Sequence, residues 1–171
     1  MNALLAEIIL HSDYHVIVDA DPVDLLELDN AMRVVVVGAF RSYIQKFAES
    51  RHHLTVLELK KDALTPEQQK YFMPASRAKS AMKHADIIFI TGSTLANNTL
   101  DDLLTFAPRA ATVVLVGPSS GLIPDVLFSR GVSLIGATRI VDPEKASRLI
   151  SEGAAGYHLF QGCAQKICLI R

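Results

Sequence analysis

Two segments of this chain place small hydroxyl and amide side chains directly after an apolar run. The first is ADIIFITGSTLANNTLDDLL, residues 85–104, and the second is ATVVLVGPSSGLIPDVLF, residues 111–128. In each, a run suited to a buried strand stops at a glycine, and a helical pattern then begins. In the first loop, Gly92 is followed by Ser93 and Thr94, with Asn97, Asn98 and Thr99 shortly after. Free backbone N–H groups at a strand-to-helix junction favour an anion, and the hydroxyls add donors. The asparagines are equally good helix caps. In the second loop, Gly117, Pro118 and Ser119 precede Ser120 and Gly121. The glycines allow close backbone approach, and the same residues also make an ordinary turn. If the two strands are neighbours in a parallel sheet, both loops share one edge, where ligands of open α/β sheets are held.

A third feature is an acid at a telling distance. Gly38 ends an apolar run and Glu58 lies twenty positions on (58 minus 38), near the end of the next run. Dinucleotide folds place a ribose-binding acid there. The glycine pattern fails, however, because positions 40 and 43 hold Phe40 and Tyr43. Bulky side chains where a backbone must meet a pyrophosphate argue against NAD. Glu58 is then either a ligand-binding carboxylate at the sheet edge or a solvated strand end.

The six histidines form no metal motif: His11 and His15 flank a turn-like Ser12-Asp13, and His52 and His53 precede a strand. Cys163 and Cys168 are five apart with no histidine cluster nearby, so a self-contained zinc site is not expected. No HExxH, GxSxG or P-loop pattern is present.

The elements that must position these residues alternate between strand and helix. MRVVVVG (32–38), LTVLEL (54–59), IIFIT (87–91), TVVLVG (112–117) and GVSLIGA (131–137) read as strands. Their continuous β-branched character suits strands covered on both faces. FRSYIQKFAES and DPEKASRLISEG read as amphipathic helices, the latter with Asp142 as cap, Pro143 in its first turn and Gly153 past its end. Residues 60–75 read as a long loop, with Pro66 and Pro74 as breakers, and KICLIR as an additional edge strand. The expected fold is an α/β, three-layer Rossmann-like domain with a mostly parallel sheet of about five strands. It occupies residues 31–171. Residues 1–30 form a short N-terminal helical extension, in which Asp21 and Pro22 start a helix that buries Leu25 and Leu26. The strand order is not legible.

Hydrophobic residues make up 50% of the 171 positions, and the formal net charge is -1 with scattered basic residues. The chain is long enough for one domain with a real core. It lacks the clustered Lys and Arg that attract nucleic acid or an anionic membrane. With two cysteines, no signal-peptide pattern and no membrane-spanning run, the expectation is a cytoplasmic protein.

Taken in order, VVVVGAF, TVLEL, ADIIFITGSTLANNTLDDLL, VVLVGPSSGLIPDVLFSRGV and ATRIVDPEKASRLISEG resemble the putative heavy-metal chelation family. The resemblance runs from about Asp21 to Gly153. The family's TGST-x-x-N-x-T block matches at Thr91, Gly92, Ser93, Thr94, Asn97 and Thr99, and its GPS block at Gly117, Pro118 and Ser119. Asn98 stands where the family usually has glycine, and Ser120-Gly121 where it has Thr-Pro. The resemblance implies a Rossmann-like domain following an enolase N-terminal-like subdomain, with a site between the two. Here MNALLAEIIL resembles only the end of that upstream subdomain. The over-apolar first helix, Met1 to Leu10, calls for cover from a second copy or a partner subunit.

Three functions follow as expectations. The first is a small-ligand or metal-complex binding domain using Gly38, Glu58 and the two loops. The second is an enzyme acting on a phosphate- or nucleotide-bearing metabolite, with Glu58 or Asp125 as base. The third is a non-catalytic subunit that needs a partner to complete its site. Oxygen and amide donors suit an oxyanion or a chelated metal better than a naked thiophilic ion.

Overall fold

The computed structural model describes residues 15–28, 30–121, 124–154 and 156–170. The helix expected at residues 1–10 lies outside these. Among the described residues, one mixed sheet of eight strands organises the fold. In chain order the strands are β1 (His15–Val18), β2 (Arg33–Val37), β3 (His53–Glu58), β4 (Phe72–Pro74), β5 (Ile87–Thr91), β6 (Thr112–Val116), β7 (Leu134–Ile140) and β8 (Ala164–Ile170). Their spatial order is β1-β8-β7-β6-β5-β2-β3-β4. The six strands β2 to β7 are mutually parallel, and β8 runs antiparallel between β7 and β1.

Numbered by chain order, the parallel set reads 3-2-1-4-5-6, the Rossmann order, with its switch point between β2 and β5. The alternation of side chains across the pleat explains the apolar runs. Val35, Val37, Ile88, Ile90, Val113 and Leu115 face one core, and Val34, Val36, Ile87, Phe89, Val114 and Val116 face the other.

The first core is roofed by helices α2 (Ala78–Met82), α4 (Leu100–Phe106) and α5 (Pro124–Ser129). The second is roofed by α1 (Arg41–Ala48), which inserts Ile44 and Phe47. A one-turn helix, α3 (Ser93–Ala96), follows β5. Helix α6 (Pro143–Ser151) starts as its sequence predicts, with the Asp142 carboxylate accepting from Lys145 N–H at 2.9 Å.

Four expectations are corrected. The sheet has six parallel strands rather than five, because the breaker-rich stretch contains β4, paired to β3 through Val56, Leu57 and Glu58. The KICLIR strand is not the edge of the sheet, since β1 pairs outside it. The fifth expected strand is shifted: β7 runs on to Ile140 because Thr138 to Ile140 pair with β8. Asp21 does cap through Val23 N–H at 3.2 Å, but only a single 3-10 turn follows. Pro22 and Val23 are its buried residues, while Leu25 is exposed. Leu26 packs against the same core as Val23, so of the two leucines expected to be buried only Leu25 is turned away. No helix among the described residues is long and apolar enough to cross a membrane.

Candidate functional site

The carboxyl ends of β2, β3 and β5 open into a cleft of about 420 Å³. Gly38, at the end of β2, has φ +104°, and a Cβ there would stand 3.2 Å from the Thr91 side chain. The Gly38 N–H donates to Leu57 O at 2.9 Å, which sets Gly38 beside the end of β3. Glu58 closes β3, and its Oε1 accepts from Leu59 N–H at 2.6 Å. This bond fixes one carboxylate oxygen at the strand end and leaves the other without a protein partner among the described residues.

The GST loop forms the opposite wall. Thr91 Oγ1 donates to Ser93 Oγ at 3.1 Å and accepts from Ser93 N–H at 3.3 Å. Ser93 is exposed and keeps its own hydroxyl proton for the cleft. Thr94 is buried, and its hydroxyl donates to Thr91 O at 2.6 Å. Its hydroxyl therefore holds the turn together and is not available to a ligand. Asn97 Oδ1 accepts from the Thr99 hydroxyl at 2.6 Å and from Thr99 N–H at 3.2 Å. The side-chain carbonyl of Asn97 thus closes a local turn onto Thr99, the residue before α4, rather than capping the helix's own N–H groups, and its amide N–H₂ remains free to donate. Gly38, Glu58, Thr91, Ser93, Thr94, Asn97 and Thr99 all line this one cleft.

Gly92, Gly117, Pro118 and Ser119 sit elsewhere. The 3-10 turn at Pro118–Ser120 packs directly on Gly92, where a Cβ would stand 2.8 Å from Ser120 N. Buried Ser120 ties the turn to the sheet, with its hydroxyl 2.6 Å from Gly136 O. Gly117 and Pro118 line a second cleft of about 250 Å³, beside α1, with Phe40, Tyr43, Asp21 and Lys166. The two loops do share one sheet edge, but they open into different clefts. Asp125 lines neither.

Several lining residues carried no signal in the loops themselves. Asp102, Leu103 and Phe106 complete the wall of the first cleft, and Ala75 and Ala78 its far end. Positions 99, 102, 103 and 106 form one stripe of α4, so helical spacing from Thr99 points to three of them. Ala75 and Ala78 are brought in by β4, which sequence reasoning read as loop.

The cleft residues do not fit a dinucleotide or a bare soft metal. The Phe40 ring stands 3.8 Å from the Cβ position of Gly38 and 3.9 Å from that of Gly117, within the crevice that a diphosphate would need. Among the described residues every side-chain donor lining the cleft is oxygen or amide, whereas soft metals select thiolate. Both cysteines are buried, with Cys163 Sγ 3.1 Å from Leu159 O and Cys168 Sγ 3.3 Å from Ala20 O. Burial, with the nearby Asp21 charge, pushes the Cys168 thiol up to about 11, which disfavours the thiolate a metal requires. Among the described residues no three His, Cys, Asp or Glu side chains gather into a metal-holding group.

A sequence profile of the family described as putative heavy-metal chelation matches residues 21–169. An uncharacterized protein of Methanocaldococcus jannaschii is 38% identical over 81 residues, which is 47% of this chain and 31% of that protein. Two crystal structures of proteins of unknown function from the same family share the fold. The Pyrococcus horikoshii protein superposes with a TM-score of 0.84 at 20% identity, over 99% of this chain and 65% of its own. The Desulfitobacterium hafniense protein gives 0.73 at 24% identity, over 96% of this chain and 62% of its own. The chain spans less than two thirds of the length of each of these relatives.

Proposed function

The chain belongs to the putative heavy-metal chelation family, and from that premise we propose that it holds a small polar ligand, or a metal already complexed by such a ligand, in the 420 Å³ cleft. One observation carries this reading. Four separate segments (the ends of β2 and β3, the GST loop and the first turns of α4) bring hydrogen-bonding groups to a single concavity. Its size falls in the range of about 300–1,000 Å³ common to small-molecule sites. Glu58 and Asp102 supply acceptors, and the Ser93 hydroxyl and Asn97 amide supply donors. A metal would enter bound to the ligand, because the protein's own oxygen donors do not favour a thiophilic ion.

Native mass spectrometry of the purified protein, with metal analysis of the same sample, tests the reading. The expected result is a retained small molecule whose occupancy drops in Ser93→Ala and in Asn97→Ala, each with an unchanged fold. Loss of one good hydrogen bond weakens binding by roughly 3- to 10-fold. Equal retention in both variants would rule out the cleft as the site.

A further inference from the structure

We propose that the ligand is a nucleoside with a free cis-diol and no phosphate. The inference rests on the cleft being the ligand site. It deepens that reading through three observations that the residue types alone do not supply.

The first is position. The Rossmann order puts β2 and β5 on either side of the switch point, and the cleft opens over the ends of β2, β3 and β5, with Glu58 on its β3 side. In dinucleotide folds an acid at the end of the second strand binds the ribose. Here that acid is Glu58, on the strand next to Gly38. Its Oε1 is braced by Leu59 N–H, so the carboxylate is oriented before any ligand arrives. Two adjacent sugar hydroxyls can both donate to one such group, as a carboxylate accepts through both oxygens.

The second observation is the apolar part of the wall. Leu57, Leu59, Ala78, Leu103 and Phe106 line the same cleft. Leu59 is 77% exposed at its rim. A flat base covers such a surface, while Ser93 and Asn97 offer donors to its polar edge. A sugar alone would leave these apolar side chains unmatched.

The third is charge. Among the described residues no Lys, Arg or His lines the cleft, whereas the carboxylates of Glu58 and Asp102 do. A phosphate would face two like charges with no cation to offset them. The glycine-rich turn that cradles a diphosphate is replaced by Phe40, whose ring stands against Gly38. The helix after the GST loop is a single turn and cannot substitute for those cations. The cleft therefore keeps the sugar-binding half of a dinucleotide site and lacks the phosphate-binding half.

The test is calorimetric titration of the full chain with adenosine, guanosine, cytidine and uridine, each beside its 2′-deoxy form and its 5′-monophosphate. At least one ribonucleoside is expected to bind. Its 2′-deoxy form should bind roughly 10-fold more weakly, because a hydrogen bond to a charged group is lost, and its monophosphate should bind no better. Glu58→Gln should bring the ribo and deoxy forms close to equal affinity, with an unchanged thermal midpoint showing that the fold is intact. The proposal is overturned if no ribonucleoside binds the wild type, if ribo and deoxy forms bind alike, or if the monophosphate binds more tightly. Should no ribonucleoside bind while a co-purified molecule is still lost in Ser93→Ala, the ligand class fails and the cleft stands. Should a nucleoside bind with equal affinity in Ser93→Ala, Asn97→Ala and Glu58→Gln, both readings fail together.

Discussion

Asn98 shows how one backbone angle selects a residue type. It has φ +57°, in the left-handed region that costs most side chains roughly 1–2 kcal/mol. Asparagine tolerates that region and glycine has no penalty there, so the glycine usual at this position in the resembling family and the asparagine here serve the same turn. Asn98→Ala should destabilise by about 1 kcal/mol, and Asn98→Gly should be close to neutral. Urea unfolding of both variants checks this. An alanine variant as stable as the wild type would show that the turn does not hold that angle. The neighbouring hydroxyls divide by role in a way that residue type could not reveal. Ser93 is exposed toward the cleft, while Thr94 and Ser120 spend their hydroxyls on backbone carbonyls.

Between elements, the contact of the GST and GPS loops sets the geometry of the first cleft. Gly92 N–H donates to Val116 O at 2.7 Å, and the Pro118–Ser120 turn rests on its missing side chain. Gly92→Ala would drive a Cβ to 2.8 Å from Ser120 N, a backbone atom that cannot turn aside. The expected cost is about 1–3 kcal/mol, as for other overpacked sites, with loss of cleft binding. Gly117→Ala offers a contrast, since its Cβ would meet nothing closer than 3.8 Å and only its φ of +121° opposes it. Thermal melts of the two variants, with ligand retention measured on each, separate steric from conformational cost. If Gly92→Ala retains both stability and ligand, the loops are not coupled. Strand β4 belongs to this scale as well. Its three residues end at Pro74 and follow a polar run, so neither length nor alternation marks them as a strand. Pairing to the already formed β3 decides their conformation, and the proline is accommodated at the sheet edge.

Across the whole molecule, Asp21 ties together parts of the chain far apart in sequence. Its carboxylate meets Lys166 of β8 at 2.8 Å, caps Val23 and lies near the Tyr43 hydroxyl of α1. Burial acts to raise its pKa, but Lys166, Val23 N–H and Tyr43 together hold it below the ordinary 3.8. The stabilisation from Asp21 is therefore present above that value and is lost as pH falls below it. At the alkaline end the sign reverses. Burial first, and then the Asp21 charge, raise both the Cys168 thiol, from 9.0 to about 11, and the Tyr43 phenol. The folded state keeps protons that the unfolded chain releases. Stability should be full below pH 9 and decline as pH rises toward 11. Urea midpoints at pH 7, 9 and 10.5 check the decline, which Cys168→Ala should reduce. A midpoint that stays constant from pH 7 to 10.5 would contradict the buried, protonated state of this cluster.

What the sequence determined by itself was whatever depends on near neighbours along the chain. Apolar runs of strand length, helix caps such as Asp142, and the polar loops after Ile87–Thr91 and Thr112–Val116 were legible because periodicity and turn chemistry act within a few residues. The spacing of Gly38 and Glu58 was legible too, though not what it meant. Only the tertiary structure decided the strand order, and with it the pairing of β3 with β2 that sets Glu58 beside Gly38. It also decided that the two loops serve different clefts, and that Asp102, Leu103 and Phe106 belong with Glu58. Those relations join residues twenty or more positions apart, where no local pattern constrains them and only the packing of a completed sheet can.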